Sequence, residues 1–469
     1  MTISPEITPV PGRPRLLLGA YDLADVGYTA KEFFVSGTAA SYAPTVPPGP
    51  DPRWSVSPSG TADYTTRMAV LSPTDPARFN GTALVEWLNV SGGIDAPAVW
   101  MMAHREIVRA GYAYVAVSAQ RVGVDGGASL LGVDMSLKIQ DPTRYAPLHH
   151  PGDAFSYDIF SQVGAVIRNA ADTGVLGDLR ARRVLALGES QSAMFLTTYV
   201  NAVDPVAEAY DGFFVHSRFG PAAPLDGSSI FDEASAPHAV AFRPDLRVPL
   251  LTIITETDLF GGAREAYYFA RQPDNPWLRV WEIPGAAHAD NYTIQVGPID
   301  SGTAPLADLV AAYAPTNMLM GQRLSHDINF APQHHYVAQA ALAALDAWVR
   351  TGEPAPAAEP MRVRDADGPR PILDDHGLVL GGVRTPWVDV PVARTSGLGG
   401  EESIMSALFG SGELFDAGTL RRLYPGGMSQ YLQRFTAALD ASIRSGFILA
   451  ADRDEILELA AATYPGGRS

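Results

Sequence analysis

Five stretches of this chain are apolar almost from end to end: "TALVEWLNV" (82–90), "YAYVAVSAQ" (112–120), "RVLALGES" (183–190), "VPLLTIITETD" (248–258) and "LRVWEIPG" (278–285). A strand with one wet face alternates apolar and polar residues, so runs without alternation require cover on both faces. That is the condition of a parallel sheet. Between the first two runs lies "APAVWMMAHREIVRAG", whose apolar spacing and terminal Gly111 predict a helix, and "SYDIFSQVGAVIRNA" predicts another before the third. The fold class expected is therefore α/β, with a mostly parallel central sheet and helices on both faces. Two earlier runs, "YTAKEFFVSGTA" from Tyr28 and "TTRMAVLSP" from Thr65, predict antiparallel strands at its N-terminal edge.

Gly- and Pro-rich interruptions at about 121–155, 217–246 and 290–332 read as lid-like insertions in a main domain over 1–352. The segment from Asp290 to Pro332, carrying Met318, Leu319 and Met320, is expected to supply a lid or pocket wall. The helix "HHYVAQAALAALDAWVRTG" closes this domain. "EPAPAAEP" (353–360) reads as a linker, and 353–469 as a mainly helical C-terminal extension packed on the main domain.

With 34 Lys+Arg against 51 Asp+Glu the chain carries a formal charge of −17, which disfavours nucleic acid as a partner. The absence of cysteine excludes disulfides, thiolate metal sites and a cysteine nucleophile. No run of 18 apolar residues occurs, and the start lacks a basic segment followed by an apolar one. The expectation is no membrane span, no signal peptide and a cytoplasmic location. A homo-oligomer is compatible with this composition.

The chemistry is concentrated at "VLALGESQSA", where a buried strand turns at Ser190 directly into a helix. Such a turn lifts a serine hydroxyl to the top of a sheet, provided the residues two before and two after are small. Here they are Gly188 and Ser192, the second departing from the usual glycine. Gly-x-Ser occurs five times in the chain, so the tripeptide alone means little. Only Ser190 has a strand pattern before it and a helix pattern after it; the competing role is to cap that helix.

A nucleophilic serine needs a base and an acid that orients the base. Downstream, "VPLLTIIT" ends in Glu256-Thr257-Asp258 and the following strand ends in Ala286-Ala287-His288. His288 is thus the expected base and Asp258 the expected acid, with Glu256 as the alternative. The oxyanion donors expected are the N–H of Gln191, next after the serine, and that of Val90 in "EWLNVSGG". Asn89 either donates there through its side chain or fixes the loop. The pair His149-His150 has no partner at ligand spacing, so no metal site is expected.

The blocks "ALVEWLNVSGG", "AGYAYVAVSAQRVGVDGG", "VLALGESQSA", "TETDLFGG" and "PGAAHAD" together resemble the α/β-hydrolase superfamily, and within it a group of large bacterial carboxylesterase-like α/β-hydrolase domain proteins. The likeness runs through most of the chain, including "AALAALDAWVRTGEPAP" and "GFILAADRDEI". It implies the α/β-hydrolase fold and cofactor-free serine-hydrolase chemistry. The function expected is hydrolysis of a small or medium-sized carboxylic ester through an acyl-enzyme. An acyltransferase or a peptidase using the same residues, and a non-catalytic binding protein on a hydrolase scaffold, stay open.

Overall fold

The two N-terminal strand-like runs form one hairpin much longer than their apolar parts. Strand β2 (Tyr28–Pro44) pairs antiparallel with β3 (Val56–Pro73) from Tyr28↔Pro73 onward, and β1 (Glu6–Val10) adds to the outer edge of β2. The apolar, buried part of the hairpin lies at its Tyr28/Pro73 end, and the end from Ala40↔Thr61 to Pro44↔Val56 is extended by backbone pairing with little burial. Polar composition there hides the strand from a reading by hydrophobic pattern. The computed structural model describes residues 4–46, 51–230, 238–261, 264–400 and 402–465, so residues 231–237 of the expected 217–246 insertion lie outside it.

Two compact units share the chain. The first is Met1–Leu250 with Asn275–Leu278 and Leu345–Pro354; the second is Leu251–Asp274, Arg279–Ala344 and Ala355–Ser469. In the first unit β3 pairs antiparallel with β5 (Ala113–Val117), which runs parallel to β4 (Thr82–Trp87); β4 then pairs parallel with β6 (Arg183–Glu189), and β6 with β7 (Gly212–His216). The spatial order β1-β2-β3-β5-β4-β6-β7 is the mixed sheet with an antiparallel N-terminal edge that the sequence pattern implies. Every residue of β4, β5 and β7 is buried, as both-face cover demands.

Helix α1 (Ala98–Arg109) follows β4, α2 (Ser156–Arg168) precedes β6, and α3 (Gln191–Thr198) follows it. Trp87 at the end of β4 is fully buried against Tyr157 and Phe160 of α2 and Phe195 of α3, with ring centroids 5.7, 4.9 and 5.1 Å away. This aromatic cluster pins α3 to the sheet.

Glu86 is a lone carboxyl within that apolar strand. Its oxygens accept from the N–H groups of Val99 and Trp100 at the start of α1 and from the Tyr114 hydroxyl, at 2.8, 3.1 and 2.7 Å. The bonds stabilise the anion, but burial outweighs them and pushes the carboxyl from 4.5 up to about 8. Folded protein therefore binds this proton more tightly than unfolded protein. Stability is fully present below about 4.5, declines as pH rises to about 8 and levels off above it. Urea melts of Glu86→Gln between pH 4 and 9 should show a flatter profile across that window than the parent. An unchanged slope would assign the pH dependence to another group.

In the second unit β8 (Leu250–Thr255) and β9 (Leu278–Ile283), apart from their first residues, lie side by side in one sheet. Between them runs the short helix α4 (Glu256–Phe260). Helix α5 (Gln333–Thr351) belongs to this unit up to Ala344 and to the first from Leu345. The C-terminal helices α6 (Gly427–Arg444) and α7 (Arg453–Thr463) pack through Tyr431, Phe435 and Leu439 against Ile456, Ala460 and Tyr464.

The segment 290–332 is more ordered than its composition suggests. It holds a π-turn at Tyr292–Val296, a helix at Leu306–Ala312 and a small hairpin pairing Met318–Leu319 with Gln322–Arg323. Leu319 is buried with Leu324, Ile328 and Phe409, whereas Met318 and Met320 are exposed. Tyr313 and Phe330 of this segment, with Trp387, Leu459 and Tyr464, line an apolar pocket of about 290 Å³ within the second unit.

Candidate active site

Ser190 stands where β6 meets α3, with φ 58° and ψ −114°, a conformation an L-residue adopts only under constraint. Its hydroxyl makes no cap bond to the helix, so the capping role is not what places a serine here. The turn is held from below: the Ser190 N–H donates to the His216 carbonyl at the end of β7, 2.9 Å away. Gly188 is required by close approach of strand and helix. A Cβ there would lie 2.9 Å from Leu196 Cδ1 and 3.1 Å from the Ser192 backbone. Ser192 itself is fully buried and its hydroxyl has no hydrogen-bond partner, so serine serves at this position by being small.

The loop after β4 approaches the same elbow. Val90 N–H faces the Gln191 side-chain oxygen at 3.4 Å. The Asn89 side chain donates to the carbonyl and the carboxylate of Glu189, at 3.2 and 3.1 Å, while its oxygen accepts from Ser91 N–H at 2.8 Å. Of the two roles open to Asn89, these contacts are those of a brace between loop and elbow.

One support of this loop, and a buried chain of side chains beside it, escaped the sequence reading. Arg67, fully buried in β3, donates to Asp95 (2.6 Å) and to Ser118 Oγ (2.9 Å), and Ser118 donates to the same Asp95 oxygen. Asp95 ends the Val90 loop, and a Cβ on Gly123 would sit 1.8 Å from its other oxygen, so only glycine fits there. The chain of side chains runs from Trp87 through Gln120 to Gln191. For the first pair there was a signal: an arginine inside "TTRMAVLSP" is a lone charge in a buried strand and must have a partner.

In the second unit, His288 Nδ1 lies 2.6 Å from Asp258 Oδ1, both groups buried. Asp258 Oδ2 accepts from the N–H and the hydroxyl of Thr255, at 2.8 and 2.7 Å, and the His288 N–H donates to Thr257 Oγ1 at 3.1 Å. The carboxylate is thereby fixed, and Nδ1, the imidazole nitrogen that faces it, is the donor of this contact. Glu256 is engaged elsewhere. It accepts from the N–H groups of Gly285 and Gly397 and from Ser396 Oγ, at 2.5, 2.8 and 2.7 Å, tying three segments together. Burial pushes its carboxyl above the ordinary value.

His150 is buried in the first unit, its Nε2 2.9 Å from the Ala119 carbonyl and its Nδ1 accepting from Gly152 N–H at 3.2 Å. Burial lowers its pKa. Among the described residues no group of three or more His, Asp or Glu is placed to hold a metal ion, and no helix is long and apolar enough to cross a membrane.

A mixed sheet whose strand breaks at a left-handed serine into a buried helix defines the α/β-hydrolase class of folds. The chain belongs to the alpha/beta hydrolase domain family, whose model matches residues 5–458. No curated protein matches it. Among solved structures it is similar to a putative dienelactone hydrolase from Klebsiella pneumoniae (15% identity, 60% of this chain and 95% of that one, TM-score 0.31). It is also similar to an esterase from Pyrococcus furiosus (11%, 58% and 87%, TM-score 0.30) and a putative acetyl xylan esterase from Bacteroides fragilis (13%, 60% and 70%, TM-score 0.29). Likeness at this level bears on neither substrate nor mechanism.

Proposed function

We propose that the protein is a serine carboxylic-ester hydrolase acting through an acyl-enzyme. The observation that carries the reading is Ser190, held at positive φ on a strand-to-helix turn with its hydroxyl withheld from capping. The His288–Asp258 pair supports it as an oriented base. In the proposed reaction Ser190 Oγ attacks the ester carbonyl carbon while His288 Nε2 takes the hydroxyl proton. Asp258 stabilises the resulting imidazolium. The N–H groups of Val90 and Gln191 receive the oxyanion. Collapse breaks the bond to the alcohol, which leaves with the proton from His288. Water, deprotonated by the same imidazole, then attacks the acyl-enzyme, releases the acid and restores Ser190. Apart from the ester and water, every group in this cycle is a side chain or backbone amide of the chain.

A pocket of about 320 Å³ lies beside Val90 and Gln191, lined also by Val122, Phe195, Ser228 and Ile230. Its size supports a small or medium-sized ester. A panel of aryl esters with graded acyl length, run with a fluorophosphonate probe, tests the proposal. Turnover that peaks at a short or medium acyl chain, with the probe attached to Ser190, is expected. A protein that neither turns over esters nor takes the probe is not this enzyme. Added alcohols and amide substrates in the same assay distinguish hydrolysis from acyl transfer and peptidase activity.

A further inference from the structure

The residue after the nucleophile carries a buried side chain with no place in the cycle above. Gln191 is 4% exposed, and its amide is joined in a chain whose polarity has one solution. The indole N–H of Trp87 can only donate, and does so to Gln120 Oε1 at 3.0 Å. The carboxylate of Asp153 accepts from Gln120 Nε2 at 3.2 Å. Gln120 is therefore oriented from both ends. Its oxygen also receives Gln191 Nε2 at 2.8 Å, which obliges Gln191 Oε1 to face Val90 N–H, 3.4 Å away. An amide oxygen thus occupies the place in front of an oxyanion donor.

That contact is not what holds the loop. Asn89 and Ala96 exchange two backbone bonds of 2.9 and 2.8 Å, Gly93 N–H donates to the Val90 carbonyl at 2.9 Å, and Asn89 bridges to Glu189. At 3.4 Å the Gln191 contact is near the long limit of a hydrogen bond. A charged oxygen at ordinary distance would form a much stronger one. We propose that the Gln191 side chain is a displaceable stand-in for the substrate oxygen. It satisfies the buried Val90 N–H in the resting enzyme and gives way as the oxyanion forms, with Gln120 fixing which of its atoms faces the donor. This rests on the esterase reading and on Val90 as a donor in it. Gln191 contributes its N–H to the oxyanion; its side chain, with Gln120, is a positioning element.

The test compares Gln191→Glu and Gln191→Ala in the full chain, with phenylboronic acid as a tetrahedral oxyanion analogue and an aryl ester as substrate. The glutamate puts a charged acceptor in the same place, gripping Val90 N–H and opposing negative charge in the oxyanion. Its kcat should fall roughly 10²–10³-fold, the scale of losing one oxyanion donor. The boronic acid Ki should rise comparably, and both deficits, taken relative to the parent at the same pH, should shrink as pH falls and the new carboxyl is protonated. The alanine variant removes the competitor, so boronic acid should bind several-fold tighter than to the parent. If Gln191→Ala instead weakens boronic acid as much as Gln191→Glu does, or if the glutamate defect is independent of pH, the side chain is a structural support and the proposal fails. Fluorophosphonate labelling of the parent separates the two levels. Labelled Ser190 with the wrong order of variants overturns only the stand-in, whereas an unlabelled parent overturns the esterase reading and the stand-in with it.

Discussion

Replacing Ser190 by alanine is expected to abolish fluorophosphonate labelling and to lower ester turnover on the roughly 10⁶-fold scale of nucleophile deletions. The substitution removes one oxygen from a side chain that makes no cap bond. Alanine inherits the same positive φ, and the Ser190 N–H bond to His216 is a backbone interaction that survives. Circular dichroism and thermal melting should therefore match the parent while activity disappears. A variant that keeps a tenth of its turnover would show that the acyl group is carried by another residue.

The second large effect separates two carboxyl groups that are neighbours in sequence and have different surroundings. Asp258→Asn replaces the oxygen 2.6 Å from His288 Nδ1 with a group that no longer fixes the imidazole tautomer. The expected loss in kcat is up to about 10⁴-fold with the fold intact. Glu256→Gln acts on stability. Its two oxygens serve three donors, from Gly285, Gly397 and Ser396, so an amide nitrogen must face an N–H or hydroxyl donor at one end. About 1–3 kcal/mol of destabilisation follows from an unsatisfied buried group, with a far smaller change in kcat of the folded enzyme. Denaturant melts and kinetics on both variants provide the comparison. If Glu256→Gln loses activity on the 10⁴ scale and Asp258→Asn does not, the roles exchange.

Much of this protein is written locally. The unbroken apolar runs at 82–90, 112–120 and 183–190 require both-face cover, and they are the parallel strands β4, β5 and β6. Gly188, Ser190 and Ser192 mark a strand-to-helix turn because small size and tolerance of a tight bend are properties of the residues themselves. The order of Ser190, Asp258 and His288 along the chain is legible for the same reason, since each follows an apolar run that ends abruptly. The polar half of the β2–β3 hairpin is not legible, because its backbone pairing leaves no hydrophobic period to read.

Local pattern is enough for the class of fold and for the kinds of residue that stand at its strand ends, because periodicity and glycine placement act over a few residues. Which polar atom meets which is settled by packing in three dimensions. Glu256 and Asp258 are equally plausible acids in one dimension, yet one reaches Ser396 and Gly397, about 140 residues away, and the other reaches His288. Asn89 meets Glu189, Arg67 meets Asp95, and Gln120 joins Trp87 to Gln191 through contacts whose partners no local pattern names. A hydrogen bond is set by the position of its atoms to within a few tenths of an ångström, and those positions exist only once the apolar surfaces have packed.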